Sequence, residues 1–210
     1  MNLRDKFKKA KENNTFIVER SYFSNNITWE NILNFIYKES SVKDVEEKNK
    51  KTFSQIVPEG NLFITVEGNL SVYHPLWIKG LSGKIWKGLP EIKNFLIKLN
   101  DDFDSSTEFE NCKYYDGTYN RGCNCYSVWH SEGIVVSLAS RLVNEHRDIF
   151  DAGYIQLVGQ SFWKIEGHKD ICILNSGDML LLPNNLTHEV WGDGPRSGIL
   201  LECNSKNYKD

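Results

Sequence analysis

His146, Arg147 and Asp148 set an imidazole and a carboxylate two positions apart. In an extended segment, residues i and i+2 point to the same face. Such a pair can bind one metal ion from a single strand or its end. His-x-Asp also arises by chance, and taken alone it reads more readily as two surface residues. A second run extends from Ser176 to His188 (SGDMLLLPNNLTH). Gly177-Asp178 forms a turn, Met179 to Leu182 a buried strand, and Pro183 ends that strand before His188 opens the next. This arrangement can return a histidine to the mouth of a small barrel. The competing reading is a surface histidine in a loop.

The elements that must position these residues are mostly short strands. From about Tyr114 onward, brief apolar runs alternate with Gly, Asn, Asp and Pro: YSVW, GIVVSLA, YIQLVGQSFWKI, ICIL, DMLLLP and SGILLEC. That spacing predicts a barrel or sandwich rather than βαβ units. The first half is more mixed. Thr28 is placed to N-cap a helix over Trp29 to Lys38, with Ile32, Leu33 and Ile36 on one face. Asn61 to Val66 (NLFITV) is strand-like. Pro90 suits the first turn of a helix, and Ile92, Phe95, Leu96 and Leu99 follow at i, i+3, i+4 and i+7. Lys43 to Lys51 is charged and without apolar periodicity, as in a solvated loop or helix end.

At 210 residues the chain can bury a substantial core without staples. It is expected to form a single domain over 1–210, with a mixed helical and strand part over 1–105 and the strand-rich core over 106–210. The net charge of −3 and a pI near 6.0 disfavour a nucleic-acid-binding role. Five cysteines, no apolar leader after the charged N-terminus and no apolar run of membrane-spanning length make a reducing cytoplasmic setting the default, away from any membrane. A homo-oligomer is compatible with the sequence. The chain carries no internal repeat, no Gly-rich phosphate loop and no nucleophile-elbow motif.

The run Gly177-Asp178-x-x-x-x-Pro183-x-x-x-x-His188 resembles the distal-histidine motif of cupins and Jumonji-C-like oxygenases. His146-x-Asp148, followed by Gln156-Leu157-Val158-Gly159 and Trp163, resembles the proximal half of the same pattern. Together they cover roughly Asn144 to Cys203 and are similar to the asparaginyl and ribosomal-protein hydroxylases of that family. The resemblance implies a fold that is mainly β with flanking helices (α+β), a double-stranded β-helix or cupin-like jelly-roll barrel. It implies His146, Asp148 and His188 as the metal ligands. Two imidazoles and one carboxylate make the facial triad associated with non-haem Fe(II) oxygenases. The resemblance further implies 2-oxoglutarate as co-substrate and O₂ as oxidant, giving succinate and CO₂, with a protein side chain or small molecule hydroxylated.

One position departs from the pattern. Where the family carries a Lys or Arg after Gln-x-x-Gly to hold the co-substrate, this chain has Ser161, which offers a hydroxyl but no charge. Arg196, in a segment similar to the end of the aspartyl/asparaginyl β-hydroxylases, is the expected replacement; its planar fork suits a carboxylate. Ser161 and Gln156 complete the expected co-substrate residues. Lys164 is a weaker alternative, since alternation puts it opposite Trp163. If no cation serves, the chain reads instead as a metal-binding cupin of another class: an isomerase, a 2-oxoglutarate-independent dioxygenase or a binding module. A barrel without metal or activity is the remaining alternative.

Other residues have mainly structural readings. Cys123-x-Cys125 lacks a second pair at zinc spacing. His74, His130 and His168 have no motif around them. Tyr114, Tyr115, Tyr119, Tyr126 and Trp129 are more readily core than the wall of a cleft, and Trp163 and Trp191 flank the proposed site only in sequence.

Overall fold

A computed structural model describes residues 1–24, 26–39, 62–63, 76–79, 89–110, 128–137 and 143–203. Lys43 to Lys51, most of Asn61 to Val66, His74, the Tyr114 to Tyr126 aromatics and the Cys123/Cys125 pair lie outside these residues. The elements run α1 (Leu3–Glu12), β1 (Ile17–Glu19), α2 (Trp29–Glu39), β2 (Leu62–Phe63), β3 (Leu76–Lys79), α3 (Pro90–Asp102), α4 (Ser106–Glu110) and β4 (Trp129–Ser137). They continue as β5 (Val143–His146), β6 (Asp151–Val158), β7 (Ser161–Ile165), β8 (Cys172–Leu174), β9 (Met179–Leu182), β10 (His188–Trp191) and β11 (Arg196–Cys203).

Two antiparallel sheets result. The larger has the order β1-β9-β6-β11-β4-β3-β2 and the smaller β5-β10-β7-β8. Tyr154 of the larger sheet meets Trp163 of the smaller at 5.2 Å between ring centroids, so the two sheets close on a common interior. The chain is a double-stranded β-helix with helices on one side, the architecture that the motif resemblance implies; the strand pattern alone predicts a barrel or sandwich. The larger sheet also takes β1, β2 and β3 from the first half of the chain.

β6, β9 and β11 of the larger sheet are buried on both faces, which accounts for the uninterrupted MLLL of β9. One face packs on the helices: Ile155, Leu157, Met179, Leu181, Ile199 and Leu201 join Phe7, Ile32, Phe95, Leu96 and Leu99. The other faces the barrel interior, where Tyr154, Leu180 and Leu182 meet Trp163, Ile165, Leu174 and Val190. Each fully buried Leu or Ile contributes about 1.5–3 kcal/mol. Asn100 secures α3 to β4: its side-chain amide donates to the carbonyls of Leu96 and Trp129, and its Oδ1 accepts from the Trp129 N–H at 3.0 Å.

The helix starts follow their sequence signals. Thr28 Oγ1 accepts from the Asn31 N–H while Asn31 Oδ1 accepts from the Thr28 N–H, a reciprocal cap. Ile32 of α2 is buried as expected, but Leu33 is 56 % exposed. Adjacent helical residues lie about 100° apart, and among the described side chains of α2 Ile32 faces the core while Leu33 turns away from it.

Before β9, Gly177 adopts φ +89° and its N–H donates to the Gln156 carbonyl. Asp178 follows and acts as a hub. Its carboxylate accepts from the Ser21 N–H at 2.9 Å, the Asn175 N–H at 3.0 Å and the Arg20 guanidinium at 2.6 Å. Burial alone would raise its pKa, but these donors outweigh burial and hold the carboxyl below its ordinary range. The N-terminal segment is thereby clamped onto the barrel beside the β1–β9 pairing.

Candidate metal centre

β5 ends at His146, and Asp148 follows in the loop leading to β6. β10 begins at His188, which pairs with His146 on one side and Ile165 on the other. The three side chains converge. One ligand atom from each of His146, Asp148 and His188 lies within 4.8 Å of the others. His188 Nε2 is 3.6 Å from Asp148 Oδ2, and His146 Nε2 is 3.9 Å from Asp148 Oδ1. Both separations exceed hydrogen-bonding distance, so the carboxylate faces both imidazoles without bonding to either. Donors that share one ion at about 2.1 Å stand roughly 3 Å apart. Shortening the two Asp148 separations by under an ångström would bring the carboxylate to that spacing from each imidazole, and the donor set fits a divalent transition metal.

The loops that carry the ligands are tied to each other. After Pro183, the Asn184 N–H donates to Asp151 Oδ1 at 3.0 Å, and the Asn185 N–H donates to the Asp148 carbonyl at 2.8 Å. Asn185 sits at φ 62°, a left-handed conformation that Asn tolerates. Asp151 is held in turn by Lys11 of α1 at 2.8 Å. His188 is buried, with Nδ1 3.0 Å from the Leu186 carbonyl. That contact assigns the proton to Nδ1 and leaves Nε2 as a lone-pair donor. Burial, followed by the neighbouring His146, pushes the His188 pKa down against the opposing effects of the Leu186 carbonyl and Asp148. The neutral, metal-binding form is favoured. His146 and Asp148 are partly exposed, at 34 % and 24 % of their side chains, so the triad opens at the barrel mouth.

The remaining expected residues lie inside the barrel. Arg196 is fully buried at the start of β11, with Nη1 donating to the Gly194 carbonyl at 3.2 Å. A Cβ on Gly192 would stand 2.6 Å from that guanidinium nitrogen, so the absence of a side chain there makes room for the fork. Ser161 is also fully buried, and its Oγ accepts the indole N–H of Trp163 at 2.9 Å. Trp163 stacks on His188 with centroids 5.8 Å apart. Gln156 is buried with its amide donating to the Val158 and Ser197 carbonyls, where it braces the irregularity between β6 and β11. Lys164 is exposed on the outer face, as alternation required. His130 lies beside Phe109 and His168 against Thr15 and Phe16; neither belongs to the converging cluster.

Tyr154 is an interior residue that the motifs did not single out. It sits two positions before Gln156 on β6, and the period-two alternation that places Gln156 inward was the available signal. A cavity of about 280 Å³ is lined mainly by polar side chains, among them Glu145, Arg147, Lys164, Glu166, His168 and Thr187, with Ile165 and Gly167 completing it. By the same alternation, it lies on the face of the smaller sheet opposite the triad, and it is not the metal centre.

No protein-family profile and no curated protein matches the chain. Among solved structures, the ribosomal oxygenase YcfD of Escherichia coli superposes with TM-score 0.55 over 99 % of this chain and 53 % of that one, at 13 % identity. The chain therefore spans about half the length of that protein. A cupin superfamily protein from Desulfitobacterium hafniense aligns over 37 % of this chain and 77 % of its own, at 15 % identity and TM-score 0.33. A cupin 2 conserved barrel domain protein from Leptotrichia buccalis aligns over 40 % and 43 %, at 19 % identity and TM-score 0.32. The likeness is one of fold: the chain has the cupin-type double-stranded β-helix. Among the described residues, no helix is long and apolar enough to cross a membrane.

Proposed function

We propose that the chain is a non-haem Fe(II)- and 2-oxoglutarate-dependent oxygenase acting as a hydroxylase, with His146, Asp148 and His188 as the metal ligands. The observation that carries this reading is the convergence of two imidazoles and one carboxylate at the mouth of the barrel. Bound Fe(II) would supply the coupling of 2-oxoglutarate decarboxylation to O₂ reduction, so that R–H, O₂ and 2-oxoglutarate become R–OH, succinate and CO₂.

The chain's own residues have definable tasks. Leu186 fixes the His188 tautomer through its carbonyl, and Trp163 limits rotation of the ring by stacking on it. Asp148 supplies the anionic ligand from a loop that Asn185 restrains. Arg196 supplies the buried cation for the distal carboxylate of the keto acid, in place of the charge that Ser161 lacks. The R–H substrate is a protein side chain or small molecule that reaches the site through the open mouth.

Anaerobic addition of Fe(II) and 2-oxoglutarate should give one bound iron per chain and a weak visible charge-transfer band. Admitting air should form succinate. Iron-loaded protein that shows neither band nor succinate would refute the proposal. A second reading, a metal-binding cupin of another class, is favoured by Ser161. It expects Arg196→Ala to leave 2-oxoglutarate affinity unchanged, whereas the oxygenase reading expects a loss of tenfold or more with iron still bound, because the distal carboxylate loses its charge-assisted partner.

A further inference from the structure

We infer that Lys11 and Asp151 are positioning residues of the metal centre: their ion pair makes the N-terminal helix α1 a brace for both loops that carry the ligands, so that metal affinity depends on a helix remote from the triad in sequence. The inference rests on the metal-binding part of the proposed function; the brace itself is argued from contacts between α1, β6 and the loop before β10.

Asp151 opens β6, three positions after the ligand Asp148, and pairs with Cys203 of β11. It is 3 % exposed. A carboxylate so placed must be matched by a cation and by donors. Lys11 supplies the cation at 2.8 Å from Oδ2, and the Asn184 N–H donates to Oδ1 at 3.0 Å. Asn185 follows, and its own N–H donates to the Asp148 carbonyl. Two adjacent amides thus stitch the loop before His188 to the loop after His146, and the Asp151 stitch is anchored in a third element.

The helix is placed to serve as that anchor. Leu3, Phe7 and Ala10 bury one stripe of α1 on the core. Lys11 lies beside Ala10 in the last turn, and its ammonium passes 5.9 Å from the Phe7 ring, one turn back. After α1 the chain enters β1, where Ile17 pairs with Leu181 and Glu19 with Met179 of β9. Arg20 and Ser21 then hold Asp178 just before β9. The N-terminal segment therefore grips β9 ahead of its start and, through Lys11 and Asp151, at the turn beyond its end. That turn leads to His188. Without Lys11 the Asp151 carboxylate would be buried and unmatched. It would turn to solvent or take up a proton, and either change weakens its hold on the Asn184 N–H.

The test is Co(II) titration of the anaerobic full chain, followed by calorimetry and by the visible ligand-field band. Lys11→Met should weaken binding by about tenfold or more, as for other groups that orient metal ligands. Lys11→Arg, which restores the cation, should bind within about threefold of the wild type. So should the double variant Lys11→Met with Asp151→Asn, in which no charge is left unmatched and the amide oxygen still accepts from Asn184. Lys6→Met is the control: it removes the 2.6 Å pair between the same helix and Glu19, and it should also stay within about threefold. A loss in Lys6→Met equal to that in Lys11→Met would assign the effect to a general loosening of α1 and overturn the inference, as would Lys11→Met binding like the wild type. Linkage gives a measurement that needs no variant: if α1 docking favours the metal, the metal must favour α1 docking. Co(II) should slow hydrogen exchange in residues 3–12 of the wild type, and unchanged exchange there overturns the inference even if every variant fails to fold. Wild type that takes up no Co(II) sinks the oxygenase reading and this inference together; wild type that binds it while Lys11→Met matches it sinks the inference alone.

Discussion

The Asn185 N–H donates to the carbonyl of Asp148 at 2.8 Å. This bond joins the loop before His188 to the loop after His146, so the two halves of the ligand set are held by backbone as well as by any ion they share. Asn185 can make it because asparagine tolerates the left-handed φ of 62°. A β-branched residue there is strained by about 1–3 kcal/mol. Asn185→Val should therefore weaken Fe(II) binding by about tenfold, while Asn185→Gly stays near wild type. Metal titration of the two variants distinguishes this from a loop of no consequence, for which both would match the wild type.

Asp148→Ala removes the anionic ligand but not the backbone carbonyl that Asn185 uses. Loss of stoichiometric iron with a thermal midpoint within a few degrees of wild type is the expected outcome. Retained iron would show that the ion sits elsewhere.

Asp178 makes a different contribution. Asp178→Asn leaves the side chain nearly isosteric but replaces the anion that accepts from Ser21, Asn175 and Arg20. Arg20 is over half exposed, so the two backbone donors carry most of the effect. A stability loss of about 2–3 kcal/mol in urea melts is expected. Asp178→Asn melting with the wild type would show that the hub is dispensable.

Acidification should destabilise the fold through His130. Burial holds its folded-state pKa at about 4, against an ordinary 6.5. Between these values the unfolded chain binds the extra proton, so stability is present above pH 6.5 and is lost as pH falls toward 4. The slope is at most about 1.4 kcal/mol per pH unit. His130→Phe, packed beside Phe109, should flatten the profile across that window. An unchanged slope would mean that His130 takes up its proton inside the fold.

The parts of this site legible in the sequence are those with local causes. The β6 and β7 strands show in the alternation of Tyr154 to Ile165, the turn before β9 in Gly177-Asp178, its end in Pro183, and the start of α3 in Pro90. Each depends on backbone preferences a few residues long. The contacts that set the site do not. Arg20 and Ser21 meet Asp178, and Lys11 meets Asp151, across most of the chain. β1 is three residues long, too short for a period to declare itself. The Tyr154–Arg196 neighbourhood depends on Gly192 and Gly198, whose role is to leave space, and empty space has no residue type to announce it.

The place of β11 in the larger sheet has a kinetic consequence. It lies between β6 and β4, yet it is the last described strand in the chain. During synthesis both neighbours exist before the strand that joins them, and β1 waits some 160 residues for its partner β9. A sheet dominated by such distant pairings forms slowly. Its apolar edges stay open to other chains until the closing strand arrives. Residues 196–203 thus time the assembly of the barrel, and substitutions there should be read first in the yield of folded protein.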